Sequence, residues 1–367
     1  MKIVFIIPNM TGGGTERVIS LLVNEYRKRG MEAAVMMFAG DECAYRLADG
    51  TELFCVSEQS HGRPLVQIRR LARMRRYLKK NRDCLIYSFS VMGTVFGALA
   101  ALGLGIRMFV SERNDPRQGL QGPLRDWAYG RAAAIAVQTG ECMRYFPEKL
   151  RKKMMVIPNP VDPSVPEPFQ GKRRRSVVFV GRLHRQKNPE LLLRAFADFQ
   201  KEYPDYVLEM FGKGELEDTL KRTAAELGIE EKVLWHGFCP DVRKRIADAG
   251  MYVLSSDFEG ISNSMLEAMA MGIPVIATDC PIGGCAEYIQ NGKNGLLVPV
   301  GDQKAMTAAM QRLAEDPGFA RSVSENGSKI REQFPIEVIA DQMLRAAKGI
   351  ENQEKKDVRG HHIDTDL

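Results

Sequence analysis

The chain begins, after Met1, with the apolar segment Lys2-Ile3-Val4-Phe5-Ile6-Ile7-Pro8. The glycine loop Asn9-Met10-Thr11-Gly12-Gly13-Gly14 comes next, and a helical pattern then continues to Gly30. An uninterrupted apolar run of this length predicts a strand that is buried on both faces of a parallel sheet. Thr15 is the predicted N-cap of the helix, and the glycines let backbone amides approach a phosphate closely. A strand, a glycine loop and a helix in this order are typical of nucleotide binding, although a glycine turn that serves packing alone has the same pattern. Neither a P-loop nor GxGxxG is present, which argues against a nicotinamide site.

Apolar runs alternate with helical patterns along the rest of the chain. Further strands are predicted at 33–38, 85–90, 107–111, 135–138, 153–157, 176–180, 206–211, 232–236, 251–255, 273–277 and 295–298. This alternation predicts doubly wound parallel sheets, and 367 residues exceed the usual size of one hydrophobic core. The proline-rich segment 158–163 is the predicted hinge. It divides the chain into a domain at 1–160, a domain at 161–350 whose last helix is a candidate to pack back on the first, and a polar, disordered tail at 351–367.

The net charge of +6 is unevenly distributed, because residues 1–160 contain 25 Lys and Arg against 14 Asp and Glu. A helical pattern at 63–80 has apolar residues at positions 68, 71, 74 and 78, and basic residues fill most of the rest. A basic amphipathic helix of this kind, especially over 69–80, can lie on anionic lipid headgroups. A surface helix that packs on a sheet and exposes a solvated cationic face is the alternative. Nucleic acid is not expected as a partner, because aromatic interleaving and known binding modules are lacking.

The uncharged segment 84–106 is long enough to span a bilayer. Its serines, threonine and glycines divide it into strand, helix, turn and strand, so we favour a buried β-α-β segment over a transmembrane helix. The seven cysteines form no CxxC pair and the five histidines are scattered. We therefore expect reduced thiols in a cytoplasmic protein, and no metal site.

The segment Ser255-Ser256-Asp257-Phe258-Glu259-Gly260-Ile261-Ser262-Asn263-Ser264-Met265-Leu266-Glu267 follows a predicted strand and opens a helix. At about 100° per residue, a continuous helix would place Glu259 and Glu267 on different faces, so they converge only if Glu259 stays in the loop. Ser262 or Asn263 then caps the helix, and the first-turn amides form an anion site. A phosphate cradle between two carboxylates suits a nucleotide-sugar. The alternative is a loop glutamate and an ordinary helix carboxylate on a solvated face.

Charged residues follow other predicted strands at the edge where their carboxyl ends meet. Arg182 and Lys187 follow strand 176–180, where a diphosphate needs positive charge. Glu112 and Arg113 come after another strand, and ligands of open α/β sheets collect at this edge. We therefore predict that Glu112 and Arg113 bind an acceptor.

Together these residues resemble the retaining GT-B glycosyltransferases of family 4, over roughly residues 1–345. The resemblance rests on several motifs in the right order: 12–14 with 16–18, 157–161, 181–183 with Lys187, Glu259 with Glu267, and 291–298. The loops 111–116 and 280–284 resemble the bacterial subgroup that extends polyprenyl-diphosphate-linked or surface glycans. The implied fold is α/β of the GT-B type, with two Rossmann-like doubly wound parallel-sheet domains that face a central cleft.

The resemblance implies a role for each matched side chain. Arg182 and Lys187 would hold the donor diphosphate and offset the charge on the leaving group. Glu259 would orient the transferred sugar, and Glu267 would bind the ribose hydroxyls. One departure concerns Ser88-Phe89-Ser90, which stands where many relatives have a histidine, so any role of that histidine must be filled differently.

Backbone groups have implied roles as well. The amides near Ser264 and Met265 would contact phosphate, and Gly13 and Gly14 would close over the diphosphate from the other domain. The first domain would bind the acceptor and the second the nucleotide-sugar. The nucleotide-sugar is a substrate, and no cofactor or metal is expected.

The implied reaction moves a hexose or N-acetylhexosamine from a UDP-sugar, in preference to a GDP-sugar, to a growing polyprenyl-diphosphate-linked bacterial glycan. Retention would arise from attack on the same face without a protein nucleophile. The expected location is the cytoplasm, peripheral at the inner face of the cell membrane. A sugar-nucleotide epimerase of the same double fold and a non-catalytic nucleotide-sugar-binding protein are the alternatives.

Overall fold

Two sets of parallel strands account for the apolar runs of the sequence. The structure is a computed structural model, and it describes residues 1–57, 64–113, 115–117 and 120–350. The predicted tail at 351–367, Asn114 of the loop 111–116 and the start of the predicted helix at 63 lie outside the described residues. The first set of strands is β1 (Lys2–Ile7), β2 (Glu32–Met37), β3 (Glu52–Cys55), β4 (Leu85–Ser88), β5 (Arg107–Ser111), β6 (Ala134–Val137) and β7 (Met154–Val156). The second set is β8 (Ser176–Val180), β9 (Val207–Phe211), β10 (Val233–Gly237), β11 (Met251–Leu254), β12 (Val275–Thr278) and β13 (Leu296–Val298).

Helices connect most of these strands. They are α1 (Gly14–Lys28), α2 (Pro64–Lys80), α3 (Val91–Ala100), α4 (Pro123–Gly130), α5 (Glu148–Arg151), α6 (Pro189–Glu202), α7 (Glu217–Glu226), α8 (Val242–Ile246), α9 (Asn263–Ala270), α10 (Gln303–Glu315), α11 (Pro317–Ser328), α12 (Ile330–Gln333) and α13 (Ile336–Lys348). Short 3₁₀ turns lie at Glu141–Tyr145, Arg185–Lys187 and Glu230–Lys232.

The strand order reverses once in each sheet. The first sheet has the order β3-β2-β1-β4-β5-β6-β7 and the second β10-β9-β8-β11-β12-β13, with parallel neighbours throughout. Both are therefore doubly wound parallel sheets, as the sequence predicts. Ligands of such sheets bind outside the carboxyl ends of the strands at the point of reversal. These points are β1/β4 in the first sheet and β8/β11 in the second.

The chain divides into two compact units, and each of them is built from more than one stretch of the sequence. One contains residues 1–137, 143–157 and the described residues from Glu337 onward, and the other contains 138–142 and 158–336. Helix α13 thus belongs to the first unit, where the Tyr26 hydroxyl donates to the Ala340 carbonyl at 2.8 Å. The proline-rich segment 158–163 belongs to the second unit, where the Val161 amide donates to the Phe334 carbonyl at 2.9 Å.

The uncharged segment 84–106 forms β4 and α3 and leads into β5, as the β-α-β interpretation predicts. Ser90 caps α3 by accepting from the Gly93 amide at 3.1 Å. Across the described ranges, no helix combines the length and the apolar character that crossing a membrane requires.

The burial of α2 differs from the predicted apolar stripe. Met74 and Leu78 are buried as expected, but Ile68 is 63% exposed. Arg70 is buried instead, with its guanidinium over the rings of Phe38 and Phe96 at 5.6 and 5.5 Å. The prediction was wrong at Ile68 because an arginine stem can cover aromatic surface while its planar head stacks on the rings.

Two local predictions also need correction. Helix α1 begins at Gly14 with Gly13 as its N-cap, so Thr15 lies inside the first turn and does not cap the helix. The parallel edge strand β3 was not predicted, because its residues are half-buried to exposed and its pattern is short.

Candidate functional site

A buried ion pair joins two loops at the point of strand reversal in the second unit. Lys187 Nζ donates to Glu259 Oε1 at 2.5 Å, and the side chains are 13% and 8% exposed. The Ser256 hydroxyl donates to the same carboxylate oxygen at 2.6 Å. The pair forms because β8 and β11 are neighbours, so that the loops after them meet at one sheet edge.

Main-chain and side-chain bonds hold these two loops together. Ser255 Oγ donates to the Lys187 carbonyl at 2.8 Å, and the Asp257 amide donates to the Gln186 carbonyl at 2.9 Å. Asn188 has a left-handed φ of 41°, which asparagine tolerates better than most residues. Its side chain caps α6 and also donates to Asp257 Oδ1 at 2.7 Å. The loop that presents Lys187 is thereby fixed at Gln186, Lys187 and Asn188.

Helix α9 starts beside this pair, as the sequence predicts. Ser262 is its N-cap, and its hydroxyl accepts from the Met265 amide at 3.4 Å. The Ser264 hydroxyl lies 2.8 Å from the Tyr252 hydroxyl. Burial raises the pKa of Tyr252, so this phenol stays neutral under the first turn of the helix. The remaining first-turn amides and the positive end of the helix dipole favour an anion here.

The other predicted donor-binding side chains lie on the same loops and helix. Arg182 is exposed and approaches the Gln186 side-chain oxygen at 3.4 Å. Glu267 is half-buried in the second turn of α9, whereas Glu259 stays in the preceding loop. The condition under which the two glutamates converge is therefore met. Nothing in these contacts tests the binding roles, which stay predictions.

Glycines allow the surrounding loops to approach closely. A Cβ atom at Gly212 would overlap the Gly181 carbonyl oxygen, and one at Gly214 would overlap the Leu183 carbonyl oxygen. These contacts support the loop that carries Arg182, because they hold its backbone against the loop after β9. Only residues without a side chain fit at these two positions.

A third loop, at 281–284, closes around Glu259. The Glu259 amide donates to the Pro281 carbonyl at 3.3 Å. A Cβ atom at Gly284 would overlap the Gly260 carbonyl oxygen. The neighbouring thiols of Cys280 and Cys285 are buried, and their hydrogen bond, together with burial, raises the pKa of Cys285. A thiol held neutral in this way is a poor nucleophile.

The predicted acceptor-binding residues are buried within the first unit. Glu112 and Arg113 are 4% and 6% exposed. The Glu112 carboxylate accepts from the Tyr129 hydroxyl at 2.6 Å and from the Arg113 amide at 3.1 Å. The Arg113 guanidinium lies 5.3 Å from the centre of the Phe89 ring. These contacts give both residues a structural use inside the unit, and their acceptor role stays a prediction.

The glycine loop of the first unit ends at the strand reversal between β1 and β4. Gly13 and Gly14 lie at the start of α1, and the Tyr45 hydroxyl donates to the Gly13 carbonyl at 2.9 Å. At the segment where the family resemblance implies a histidine, the Ser88 hydroxyl accepts from the Thr94 hydroxyl at 2.9 Å. The predicted contact of Gly13 and Gly14 with a diphosphate stays a prediction.

Sequence reasoning missed several residues that build the site. Ser256 and Asn188 were not singled out, although asparagine directly before a proline at a helix start is a typical cap signal. Gln138 and Asn159 contact the Glu259 loop and α9, and neither was given a role: Gln138 carries no local signal, and Asn159 was named only within the motif 157–161, because their partners are distant in sequence. In the described part of the chain, no group of three or more His, Cys, Asp or Glu residues is arranged to hold a metal ion.

The geometry combines an exposed guanidinium, a buried ammonium–carboxylate pair and a helix N-terminus on a doubly wound sheet. Positive charge and first-turn helix amides at one sheet edge are the groups that favour an anionic ligand. The model of glycosyl transferases group 1 matches residues 165–330, and the model of Glycosyltransferase Family 4 matches residues 12–165. The chain therefore belongs to the family 4 (group 1) glycosyltransferases, and its fold is GT-B.

Named relatives and solved structures agree with this assignment. An alpha-1,4-N-acetyl-D-galactosaminyltransferase of Campylobacter jejuni, whose named substrate is a diphospho-undecaprenol-linked glycan, is 24% identical over 362 residues, or 96% of this chain and 99% of that protein. A 4-alpha-N-acetylgalactosaminyltransferase of the same organism is 35% identical over 155 residues, or 42% and 41% of the two chains. Anabaena HepE, solved in complex with UDP-glucose, has a TM-score of 0.79 at 20% identity and covers 95% of this chain and 99% of its own.

Proposed function

We propose that this glycosyltransferase moves a hexose or N-acetylhexosamine, with retention, from a UDP-sugar to a polyprenyl-diphosphate-linked glycan. The observation that carries the proposal is the pair of Lys187 and Glu259 beside the capped N-terminus of α9. Lys187 and Arg182 supply positive charge where a diphosphate would leave. Glu259 supplies an acceptor for sugar hydroxyls, and Glu267 lies one turn into the helix for the ribose.

In the proposed step, the bond between the anomeric carbon and the diphosphate oxygen breaks. A hydroxyl oxygen of the acceptor bonds to the same face of that carbon, and its proton passes to the departing diphosphate. No protein nucleophile takes part, which is consistent with the neutral, buried Cys285 thiol. Lys187 has three N–H donors, so it can contact Glu259 and a phosphate oxygen together. Positive charge at this point stabilises the leaving group as it forms. We propose that no metal is required.

Relatives support the choice of donor and acceptor. HepE binds UDP-glucose, which favours a uridine nucleotide here. The Campylobacter relatives are named for N-acetylgalactosamine transfer to diphospho-undecaprenol glycans, which favours a polyprenyl-linked acceptor.

We further propose that α2 docks the protein on anionic lipid at the inner face of the membrane. The exposed residues of α2 recur at helical spacing and form one face, consisting of Pro64, Leu65, Ile68, Arg69, Ala72, Arg73, Arg76, Lys79 and Lys80. Leu65 and Ile68 are 67% and 63% exposed at the start of this face. Helices of this kind bind membranes in two ways: their apolar side chains insert among the lipids, and their basic side chains contact the anionic headgroups.

The test of the reaction is a release assay with purified protein, a panel of UDP- and GDP-sugars, and membrane extract with or without its lipid fraction. Free nucleoside diphosphate and labelled lipid are measured. Release that needs one UDP-sugar and the lipid fraction supports the proposal. Conversion of donor to an isomer without acceptor points to an epimerase, and binding without turnover points to a non-catalytic protein. Excess EDTA tests the proposal that no metal is required, since a transfer rate that falls with EDTA would contradict it.

Substitutions of Glu267 and Glu259 distinguish their proposed roles. We expect Glu267→Gln to weaken UDP binding about tenfold, because a ribose hydroxyl loses a charged acceptor. We expect Glu259→Gln to lower transfer without weakening UDP binding. Glu215→Gln, on a side chain that is 63% exposed near the same loops, is the matched control and should change neither.

Docking on lipid is tested by flotation with vesicles of phosphatidylcholine alone or with phosphatidylglycerol. The protein should float with the anionic vesicles only. The change Ile68→Ser with Arg69→Glu and Arg76→Glu should abolish flotation. Lys201→Glu with Lys221→Glu, in the second unit, is the control for altered charge. Equal flotation of both variants would contradict the role of α2.

A further inference from the structure

The segment 138–142 joins the second unit although the strand before it belongs to the first. Strand β6 ends at Val137 in the first sheet, and the next residue is already part of the second unit. Gln138 and Thr139 are 3% and 1% exposed. Two polar side chains are thus inserted into the second unit, where buried polar groups need hydrogen-bond partners.

The Gln138 side chain is hydrogen-bonded to the loop that carries Glu259 and to Asn159. Its side-chain oxygen accepts from the Ile261 amide at 3.0 Å, two residues after Glu259. Its side-chain nitrogen donates to Asn159 Oδ1 at 2.9 Å, and Asn159 Nδ2 donates to Asn263 Oδ1 at 2.6 Å. One chain of three side-chain amides therefore connects the loop of Glu259 with the first residue of α9.

Thr139 supports the same loop from its other side. Its hydroxyl donates to the Ile282 carbonyl at 2.7 Å. Ile282 lies in the loop 281–284, which accepts from the Glu259 amide and packs against Gly260. Residues 138–139 therefore support the loop of Glu259 in two ways: Gln138 binds it directly, and Thr139 binds the loop 281–284 that packs on it.

We propose that Gln138 is a positioning residue for Glu259, with Asn159 as its partner. The inference rests on the proposed function, in which Glu259 orients the transferred sugar. Gln138 does not contact Lys187 in any described bond, and Lys187, Arg182 and Glu267 are the side chains that would hold UDP. The α9 amides near Ser264 and Met265, which would contact phosphate, keep their own cap at Ser262. Loss of the Gln138 contacts therefore affects the sugar end of the donor and spares the nucleotide end. A displacement of about 1 Å at a reacting group can cost about a hundredfold in rate.

The test uses Gln138→Glu, which keeps the shape of the side chain. The introduced carboxylate can still accept from the Ile261 amide but cannot donate to Asn159 Oδ1. We expect kcat for transfer to fall about tenfold to a hundredfold, while the Kd for UDP stays within about twofold. Gln303→Glu is the matched control, since the Gln303 side chain donates to Asp198 at 2.6 Å elsewhere in the second unit. It should leave kcat unchanged.

A pH profile distinguishes positioning from a general loss of structure. Once protonated, the introduced carboxyl group donates and accepts as the amide does. The kcat of Gln138→Glu relative to the natural protein should therefore recover as the pH falls towards about 5, since burial raises a carboxyl pKa. Asn159→Asp is the second variant, because it keeps acceptance from Gln138 and loses donation to Asn263. It should show the same fall in kcat with UDP binding preserved.

Transfer by Gln138→Glu and Asn159→Asp at the natural rate would overturn the inference. Equal losses of kcat and UDP affinity without recovery at low pH would also overturn it, because they indicate a structural role only. The proposed function fails separately, if the natural protein transfers no sugar from any donor of the panel.

Discussion

Glu259→Gln should change stability and UDP binding in opposite directions. The carboxylate of Glu259 accepts from Lys187 and Ser256 and is nearly buried. Removal of one partner of a buried ion pair costs about 3–5 kcal/mol. Because the Lys187 side chain is 13% exposed and an amide oxygen can still accept one bond, we expect a loss of about 2–3 kcal/mol in the free energy of unfolding of the second unit.

The effect on UDP has the opposite sign. Lys187 Nζ lies 2.5 Å from Glu259, so a phosphate oxygen bound to the same ammonium lies about 5 Å from the carboxylate. At an effective dielectric constant of about 20 to 80, two unit charges at about 5 Å repel by about 1–3 kcal/mol. Removing the carboxylate charge should therefore tighten UDP binding by at least about fivefold, even as transfer falls.

Urea unfolding, titration calorimetry with UDP and the transfer assay measure the three quantities. A double-mutant cycle with Lys187→Met isolates the pair, and we expect a coupling of at least about 1.5 kcal/mol. A coupling below about 0.5 kcal/mol would mean that the pair contributes nothing in the resting protein. Weaker UDP binding by Glu259→Gln would refute the charge argument, because the carboxylate would then organise the diphosphate site rather than repel its ligand.

Three further substitutions probe the frame of the site. Ser262→Ala should lower the free energy of unfolding by about 1 kcal/mol, the usual cost of a lost N-cap, and weaken UDP binding measurably by calorimetry. Arg173→Met should destabilise the second unit by about 3 kcal/mol in urea unfolding, because the half-buried guanidinium donates to four main-chain carbonyls. Gly284→Ala should reduce transfer at least tenfold, since its Cβ would overlap the Gly260 carbonyl, whereas Gly140→Ala, with open space, should be silent in the same assay.

The parts of the fold that sequence predicts are those that local patterns determine. Buried parallel strands are continuous apolar runs, and twelve of the predicted runs lie at or within a residue or two of observed strands. The strand β3 was not predicted because this edge strand lacks a continuous apolar run. The position of Glu259 in a loop and the cap at Ser262 were predictable, since both follow from helix geometry and capping chemistry over a few residues.

Burial of charged side chains was less predictable. Ile68 fits an apolar stripe by its spacing, yet Arg70 is the residue that is buried. Its guanidinium stacks over the rings of Phe38, which follows β2, and Phe96, which lies in α3. Glu112 and Arg113 follow a strand in the manner of ligand-binding residues, and both are buried, where Glu112 accepts from Tyr129 and from the Arg113 amide and the Arg113 guanidinium donates to Ser111. In both cases the outcome depends on a partner that only the tertiary structure supplies.

The same dependence applies to the geometry of the proposed reaction. The segment 255–267 contains both glutamates and the helix cap, but Gln138 binds it from 123 residues away and Asn159 from 104. Gln138 directly follows Val137 of the first unit, and Asn159 lies two residues after Ile157, where that unit ends. A loop grafted into another glycosyltransferase without them would carry the groups and lose their positions. In the proposed reaction, the groups that would act on the donor lie in the segment 255–267 and in the loop of Arg182 and Lys187, whereas Gln138 and Asn159 would fix their positions from two other segments.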